Sequence, residues 1–559
     1  MDLSEVQAVL SRIDQQLAGV GTLDTVVAQA VEELLNLIER LVSGQQALAE
    51  EVERLKAQLQ QKKKSKTTDQ GDGPQPNSDH SSEKHRRQRQ KSKRQSACDR
   101  RTFKDLTIDQ TIECPVDPKD LPPDAVRVED EEVIVQDIEI KPRNLRFQRH
   151  VYYSAAEKAF FRGPLPGGFD QGDFSANLRA LILSLKYCGN MSEPKIGEFL
   201  ENFDVQVSSG SISNILTRSA KDFEQDYHDV LVSGLSSTTY QQTDDTSARV
   251  DGSFWHTHIL CNPYYTLYST RPRKDRLAVL EVLQNTDDLR FFLGQPTLDL
   301  LESQFSLPRK WQRKLADLGE VELTAGQLKT LLEEWFGDRN GQLRTAVEQA
   351  AAIVYYHHQR AVPVIETIVC DDAGQFKLLT EKLALCWIHE GRHYEKLSPV
   401  VGRHVKQLDS FLNRYWDYYT SLQDYRASPA REQAAMLRLE FDELFSTRTG
   451  YDALDARIAK TAAKKDQLLT VLSVPSVPLH NNASELGARV SARRRDVSLH
   501  SRSVRGARAM DVFTTLVQTS KKLGVSAYAY LQDRLIGAYR MPSLAQIIRQ
   551  ASQSPAASD

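Results

Sequence analysis

The stretch 238–260, TTYQQTDDTSARVDGSFWHTHIL, decides the fold of this chain. Two strand-like runs flank Asp251-Gly252, a pair that favours a two-residue β-hairpin turn. A third strand is predicted in YYTLYST, and a helix follows it. After a long helical stretch, the apolar run VIETIVC predicts a buried strand that stops at Asp371. The segment therefore predicts a multidomain α/β protein whose central domain has three antiparallel strands, a helix and a further strand.

Three carboxylates are candidates for a catalytic site in this domain. Asp244 lies in the first strand of the hairpin, Asp371 at the end of the later strand, and Glu485 at the start of a predicted helix. Phosphodiester chemistry uses two divalent metal ions that stabilise the attacking and leaving oxygens, and magnesium prefers oxygen ligands. We therefore predict that these carboxylates are catalytic and hold two Mg²⁺ or Mn²⁺ ions. The order of elements is also that of a ribonuclease-H-like fold, by analogy of pattern.

Each carboxylate also has a purely structural interpretation. Asp244 is compatible with a hairpin residue and Asp371 with a helix N-cap, and Asn482-Ala483-Ser484-Glu485 has the shape of a capping box. Asp245 and Asp372 compete with their neighbours. Because alternate residues of a strand face opposite sides, only one member of each pair can serve the site.

In the strings that surround these carboxylates, the chain resembles the insertion-sequence-66-type bacterial transposases, whose large subunit carries a triad of two aspartates and a glutamate. The similarity runs in the family's order from the N-terminal heptads to about Leu531. It rests on Asp244-Asp245-Thr246, Asp371 followed by Phe376, Cys386-Trp387-Ile388-His389, Asn481-Asn482-Ala483-Ser484-Glu485, Arg493-Arg494-Arg495 and Gly506-Ala507-Arg508.

The resemblance implies that the triad activates water to cut DNA at transposon ends and then directs the freed 3′-hydroxyl at target DNA. DNA is thus the expected partner, and holding two ends together requires a homo-oligomer. Accessory proteins of the same element are left open as partners. Two other functions remain: a catalytically inactive or domesticated transposase-derived DNA-binding protein, and a metal-dependent nuclease without strand transfer.

The family's four-cysteine zinc ribbon is degenerate in this chain. Cys114 remains, but Asp117 stands in place of its partner, and the second pair falls at Ser154 and Glu157. One thiolate cannot hold tetrahedral zinc, so we predict a zinc-ribbon-like β region without structural zinc, with strands in VIVQDIEI and FQRHVYY. A second metal-like spacing lacks a fourth ligand and is interpreted as an ordinary part of the fold: Cys386, His389 and His393.

Two surfaces are predicted to contact DNA. One is a helix-turn-helix-like region, for which an ordinary three-helix bundle is the alternative; its second helix would offer Ser211, Ser213, Asn214 and Arg218. The other is a basic cluster beside Glu485, for which a solvated face is the alternative. Its members are Arg489, Arg493, Arg494, Arg495, Arg502, Arg505 and Arg508, together with Asn481 and Asn482.

The N-terminal heptads predict a coiled coil. Val31, Ile38, Val52 and Leu59 occupy one seam position, interrupted by Gln45, and Leu34, Leu41, Leu48 and Leu55 occupy the other. This pattern favours self-association. The alternative is an amphipathic helix that packs on its own domain.

Composition places few limits on function. The 559 residues carry a net charge of −3, but 61–101 holds thirteen Lys or Arg against five Asp or Glu. This segment is predicted to be a disordered linker. It acts either as a DNA-binding arm or as a solvated spacer. The six cysteines have no paired spacing, and the N-terminus resembles no signal peptide. We therefore expect a bacterial cytoplasmic, nucleoid-associated protein with no membrane partner.

The predicted domains are 1–23 (N-terminal helix), 24–61 (coiled coil), 62–102 (basic linker), 103–168 (degenerate zinc-ribbon-like β region), 169–235 (helix-turn-helix-like domain), 236–504 (ribonuclease-H-like catalytic domain with helical insertions at about 287–359 and 398–470), 505–545 (C-terminal helical region) and 546–559 (disordered tail).

Overall fold

The computed structural model describes residues 12, 25–64, 107–122, 125–126, 129, 131–169, 174–337 and 341–553. The predicted N-terminal helix and basic linker fall almost entirely outside these residues, so both stay predictions. The chain divides into a large unit, 1–46 with 144–559, and a small unit, 47–143. No helix in the described part is long and apolar enough to cross a bilayer.

The helices are α1 (Thr25–Lys64), α2 (Ala176–Tyr187), α3 (Glu193–Glu201), α4 (Ser209–Arg218), α5 (Glu224–Leu235), α6 (Arg276–Gln284), α7 (Gln295–Leu300), α8 (Arg309–Leu318), α9 (Ala325–Phe336), α10 (Gly341–His358), α11 (Trp387–Glu395), α12 (Gly402–Ala427), α13 (Arg431–Phe445), α14 (Asp452–Ala462), α15 (Lys465–Leu468), α16 (Asn482–Ser498), α17 (Val504–Lys522), α18 (Ala527–Ile536) and α19 (Leu544–Gln553). The strands are β1 (Val151–Ser154), β2 (Ala159–Arg162), β3 (Tyr240–Val250), β4 (Ser253–Cys261), β5 (Thr266–Arg271), β6 (Arg290–Leu293), β7 (Val321–Thr324), β8 (Thr367–Cys370) and β9 (Lys382–Leu385).

A five-stranded mixed sheet of order β5-β4-β3-β8-β9 is the centre of the large unit. Strands β3, β4 and β5 pair antiparallel, whereas β8 and β9 run parallel to β3. The predicted order of three antiparallel strands, a helix and a further strand is therefore confirmed. Asp251 and Gly252 both have positive φ, 49° and 73°, as their two-residue turn between β3 and β4 requires.

Helix α17 covers the outer edge of this sheet. Three of its side chains, spaced by four residues, accept hydrogen bonds from outward N–H groups of β5 at 2.7–3.2 Å: Asp511 from Thr270, Thr515 from Tyr268 and Thr519 from Thr266. Four helical residues rise about 6.0 Å and two strand residues about 6.6 Å, so the two spacings match. The edge strand thus keeps no exposed row of donors for another chain.

The helical block before the sheet follows the sequence prediction with one change. The run SISNILTRSAKDFEQDY (211–227) predicts one long third helix, but a 3₁₀ turn, Ser219–Phe223, divides it into α4 and α5. The hydroxyl of Ser208 accepts the Ser211 N–H at 3.1 Å, so this cap starts α4 at Ser209 instead of Ser211.

Two helical insertions accompany the sheet, within the predicted ranges. The first carries the β6–β7 hairpin and α7 to α10, and its aromatic cluster joins Trp311 to Phe336 with ring centres 4.4 Å apart. The second contains α12 to α15. Aromatic side chains of α12 and α13 surround the fully buried indole of Trp387, the first residue of α11.

The N-terminal helix packs one face against the second insertion. Leu35 and Val401 are buried together, and the carboxylate of Glu39 accepts hydrogen bonds from the Val400 and Val401 N–H groups at 2.8 and 3.0 Å. His404 Nδ1 lies 3.1 Å from the same carboxylate. Val31 and Ile38 join this contact, so the first part of one predicted heptad row faces the chain's own domain, as in the alternative interpretation, whereas Val52 of the same row is exposed. The other position, which includes Leu34, Leu41, Leu48 and Leu55, is exposed.

Two predictions are wrong: the strand in 133–140 and the start of the disordered C-terminal tail. The segment VIVQDIEI (133–140) forms no strand in the described residues, and Val133, Val135 and Ile138 are exposed, because no neighbouring strand pairs with it. Among the residues of 103–168 that the structure describes, the β1–β2 hairpin alone represents the predicted β region. The expected disordered tail begins inside α19, where Ile548 is fully buried; residues 554–559 lie outside the described part.

Replacing Thr515 with Val should destabilise the protein by about 1–3 kcal/mol, because the buried Tyr268 N–H loses its acceptor while side-chain volume hardly changes. Urea unfolding of the full chain measures the change in free energy. The matched control is Thr420→Val on the exposed face of α12, which should shift stability by less than about 0.5 kcal/mol. Equal effects of the two substitutions would contradict the edge-capping role.

Candidate active site

The pairing of β3 with β8 brings the first two candidate carboxylates together. Tyr240 lies opposite Thr367 and Gln242 opposite Val369, an offset of 127 positions. Asp244 and Asp371 differ by the same 127, so the register carried two residues further sets them opposite each other on the same face. Neighbouring strands are about 4.8 Å apart, so Asp244 in β3 and Asp371 just after β8 lie on neighbouring strands of one sheet.

Helix α16 brings Glu485 to the same face. The Ala483 N–H donates to Gln242 Oε1 at 3.2 Å, and Arg495 donates to Thr246 Oγ1 at 3.0 Å. Since Gln242 and Thr246 flank Asp244 at alternate positions of β3, all three point toward this helix. Gly487 permits the close approach, because a Cβ there would lie 2.8 Å from Ile259 Cγ2.

The electrostatics of the site reflect this crowding. Burial and the negative charges of Asp371, Asp245 and Glu485 raise the pKa of Asp244 to about 7, against one favourable backbone N–H from Asp245. Burial also raises the pKa of Asp371, and the charges of Asp245 and Asp372 add to the effect. Carboxylates held this close favour either a proton or a bound cation.

The neighbouring aspartates have partners of their own. Asp372 lies 2.6 Å from Lys464 Nζ and 3.0 Å from Lys377 Nζ; although burial opposes ionisation, these ammonium groups lower the pKa of Asp372. Asp245 accepts a hydrogen bond from Gln375 Nε2 at 3.0 Å. Asp244 and Asp371 accept only backbone N–H groups among the described residues, which leaves their remaining oxygens for a ligand.

The carboxylate of Glu485 does not cap its own helix. The N-cap of α16 is Asn481, with no side-chain capping bond, so the capping-box interpretation is wrong. Instead His389 Nδ1 lies 3.5 Å from Glu485 Oε1, and Arg392 Nη2 lies 3.5 Å from Oε2. Sequence reasoning treated His389 as structural and did not consider Arg392; their spacing of three on α11, which directs both to one side, was the available signal.

Some polar atoms at this site have no hydrogen-bond partner. Both side-chain atoms of the buried Asn481 lack a hydrogen bond within the described part of the chain, and His389 Nδ1 has only its 3.5 Å contact with Glu485 Oε1. Such orphaned groups are costly unless a ligand or water satisfies them. Potential ligand atoms of Cys386, His389 and Glu485 lie within 4.8 Å of one another. Burial raises the pKa of the Cys386 thiol to about 11, so without a bound cation the thiol stays protonated at neutral pH.

The donor set therefore fits a hard divalent cation. The charges of Asp371 and Glu485 both act on Asp244, so these three residues offer carboxylate oxygens to one region of the site. Mg²⁺ and Mn²⁺ prefer such oxygen ligands.

The structure separates the predicted DNA-contacting residues into three groups. Exposed side chains are those of Asn214, Arg218, Arg493, Arg502 and Arg505. Partly exposed side chains are those of Ser211, Ser213, Asn482, Arg489, Arg495 and Arg508. Asn481 and Arg494 are buried.

Three of these predictions need correction because the side chains are engaged inside the protein. Arg494 donates to the Tyr187 carbonyl at 2.7 Å and to the Thr514 hydroxyl, so it joins α16 to α2 and α17. Arg508 pairs with Glu224 and stacks over a tyrosine ring. Asn481 is buried, so it offers no open surface to DNA.

Comparisons with known proteins identify the family of this chain. Residues 338–509 match the family described as Transposase IS66 family, a range that includes Asp371 and Glu485 but not Asp244. The chain is also similar to an uncharacterized protein, y4jO, of Sinorhizobium fredii strain NBRC 101917 / NGR234. The two are 32% identical over 314 residues, which is 55% of this chain and 94% of that relative. The chain belongs to the IS66 transposase family.

Proposed function

We propose that this protein is a DNA transposase in which Asp244, Asp371 and Glu485 hold two Mg²⁺ or Mn²⁺ ions. The observation that carries the proposal is the electrostatic interaction of three carboxylates: the β3–β8 pairing and helix α16 bring the charges of Asp371 and Glu485 near Asp244. The strand order supports the assignment of a ribonuclease-H-like catalytic domain. Two ions bound there would stabilise the attacking and leaving oxygens during cleavage at transposon ends and transfer of the 3′-hydroxyl to target DNA.

The chain's own groups prepare the site for this chemistry. The raised pKa of Asp244 means that the empty site keeps a proton, which a cation displaces. Arg392 and His389 on α11 each lie 3.5 Å from the Glu485 carboxylate and orient it. Because all three carboxylates are present and the charges of Asp371 and Glu485 act on Asp244, the arrangement favours an active enzyme over the inactive DNA-binding alternative.

A basic surface beside the triad supports DNA as the substrate. Arg505 on α17 donates to Thr217 on α4 at 3.3 Å, and Lys186 on α2 donates to Ser498 on α16 at 3.2 Å. These contacts join the helix-turn-helix-like block to the two arginine-bearing helices. The exposed Arg218, Arg493 and Arg505 thus belong to connected elements that can follow one stretch of phosphates.

We further propose that the exposed leucines of α1 pair two copies of the chain. Leu34, Leu41 and Leu48 are 55–69% exposed, although leucine at a seam position of a heptad is normally covered by a partner helix. Glu39 and Leu35 hold the opposite face of α1 to the chain's own domain. The helix therefore presents a fixed apolar row for a second copy.

Replacing Asp244 or Asp371 with Asn, or Glu485 with Gln, should lower metal-dependent cleavage of DNA carrying the element's ends by at least about a hundredfold. Each change removes a metal ligand but no DNA contact, so DNA affinity should stay within about threefold. The control is Asp372→Asn, which removes a lysine partner rather than a ligand and should keep most activity. Full cleavage by a triad variant would exclude that residue from the site.

Mn²⁺ affinity should depend on pH through Asp244. The proton held with a pKa of about 7 must leave before the cation binds, so affinity should fall about tenfold per pH unit below pH 7 and level off above pH 8. Isothermal titration of the full chain with Mn²⁺ between pH 5.5 and 8.5 measures this. Asp244→Asn should bind more weakly and lose the dependence near pH 7. A flat wild-type profile would contradict the proposed coupling.

Replacing both Leu41 and Leu48 with Lys should reduce the mass measured by light scattering, because the leucine row would then carry like charges at facing positions. Docking of α1 through Glu39 should survive, so circular dichroism should change little. The control, Gln29→Lys with Ala47→Lys, adds the same charge away from the seam positions. Unchanged mass in the leucine variant would move self-association to another surface.

A further inference from the structure

A groove outside the triad lies between α12 and the turn that precedes α14. It encloses about 300 Å³. One wall comes from positions of α12 that share a face at three- and four-residue spacing: Arg403, Lys406, Gln407, Ser410 and Arg414. The other wall comes from Thr447, Arg448 and Thr449. Cations and hydroxyl groups thus dominate the lining.

The positive charges of this groove are poorly balanced. Arg403, Lys406, Arg414 and Arg448 are exposed. Within the described residues, Glu32 lies 3.4 Å from Arg403, while Lys406, Arg414 and Arg448 have no carboxylate within ion-pair distance. Four like charges around one concavity raise the local potential and attract anions. Guanidinium groups with neighbouring hydroxyls suit phosphate oxygens in particular.

The threonine wall is held in place before any ligand binds. Asp455 accepts hydrogen bonds from the Thr449 N–H at 2.9 Å and the Thr449 hydroxyl at 2.7 Å. From α1, Asn36 donates to the Gly450 carbonyl at 2.8 Å and accepts from the Asp452 N–H at 2.9 Å. A preorganised wall lowers the entropy cost of binding. Docking of α1 thus supports the groove as well as the fold.

The groove is separate from the triad, but one of its lining residues packs against α11. Phe411 lines the groove, and its ring lies 5.0 Å from that of Tyr394 on α11. The same helix carries His389, which faces Glu485. The groove and the triad are thus connected through the packing of α11, and the groove lining contains none of the three carboxylates.

We propose that this groove binds the phosphodiester backbone of DNA, as a second contact for the substrate of the triad. From Arg403 to Arg414 the cations extend over eleven residues of α12, about 16 Å. Duplex DNA carries one charge per about 1.7 Å of its axis, so this row faces several phosphates, more than a single free phosphate supplies. The inference rests on the proposed DNA substrate but not on cleavage.

The test is the salt dependence of DNA binding by the full chain with Lys406→Gln, Arg414→Gln and Arg448→Gln combined. Fluorescence anisotropy with a labelled 30-base-pair duplex should show the slope of log affinity against log KCl reduced by about 2.7, from about 0.9 for each lost contact. The control combines Arg431→Gln, Arg438→Gln and Lys460→Gln, exposed side chains outside the groove lining, and should change the slope by less than about 1. Mn²⁺ affinity at the triad should be unchanged in both.

Each other outcome has a defined meaning. Equal slopes for the groove variant and its control, with both proteins folded by circular dichroism, would overturn the proposal. Calorimetric binding of inorganic phosphate that the groove variant loses, without any change in DNA affinity, would make this a small-anion site and also overturn it. Failure of wild-type protein to bind DNA would instead refute the proposed transposase function. Arg414→Gln alone, with a slope loss of about 0.9, guards against disruption by the triple change.

Discussion

The parallel pairing of β3 with β8 is the interaction on which the rest of the site depends. Its register sets Asp244 opposite Asp371, although 127 positions separate them in the sequence. A few hydrogen bonds between these two strands thus hold together the two ends of the first insertion. A slip of β8 by one residue would put Asp372 in place of Asp371 beside Asp244 and take Asp372 away from Lys464. Burial of β8 against both neighbouring strands fixes that register.

Helix α16 completes the arrangement through close packing rather than through charge. Gly487 lets the helix lie against β4, and the buried Arg494 fastens its second half to α2 and α17. Glu485 is thereby held against two carboxylates that repel it. Burial, with a further contribution from this repulsion, raises the pKa of Asp244 and so makes its ionised form costly without a cation. A cation removes this cost, which is the physical reason to regard the cluster as a metal site.

Much of this arrangement could be predicted from local sequence patterns. The Asp251-Gly252 turn and the apolar run before Asp371 identified the strands, because turn chemistry and strand burial leave local signals. The partners of side chains did not follow in the same way. Arg494 and Arg508 look like surface cations in the sequence, yet Tyr187 and Glu224, some 300 positions earlier, bind them. His389 was similarly missed because its neighbour Glu485 is remote in sequence. Family resemblance supplied the triad, whereas spacing alone left each carboxylate with a structural alternative.

The N-terminal helix shows a related limit. Heptad spacing predicted its apolar rows, but not that one row would pack on α12 through Leu35 and Glu39 while the other stays exposed. A seven-residue repeat specifies which residues share a face and is silent about which partner covers them.

The central claim is that the three carboxylates form one metal centre, and anomalous scattering from crystals soaked in Mn²⁺ tests it most directly. The account predicts manganese peaks within about 2.0–2.4 Å of oxygen atoms of Asp244, Asp371 and Glu485, and their disappearance in an Asp244→Asn crystal. Absence of any peak at these oxygens, or a single peak bound by Cys386 and His389 without Asp244, would contradict it.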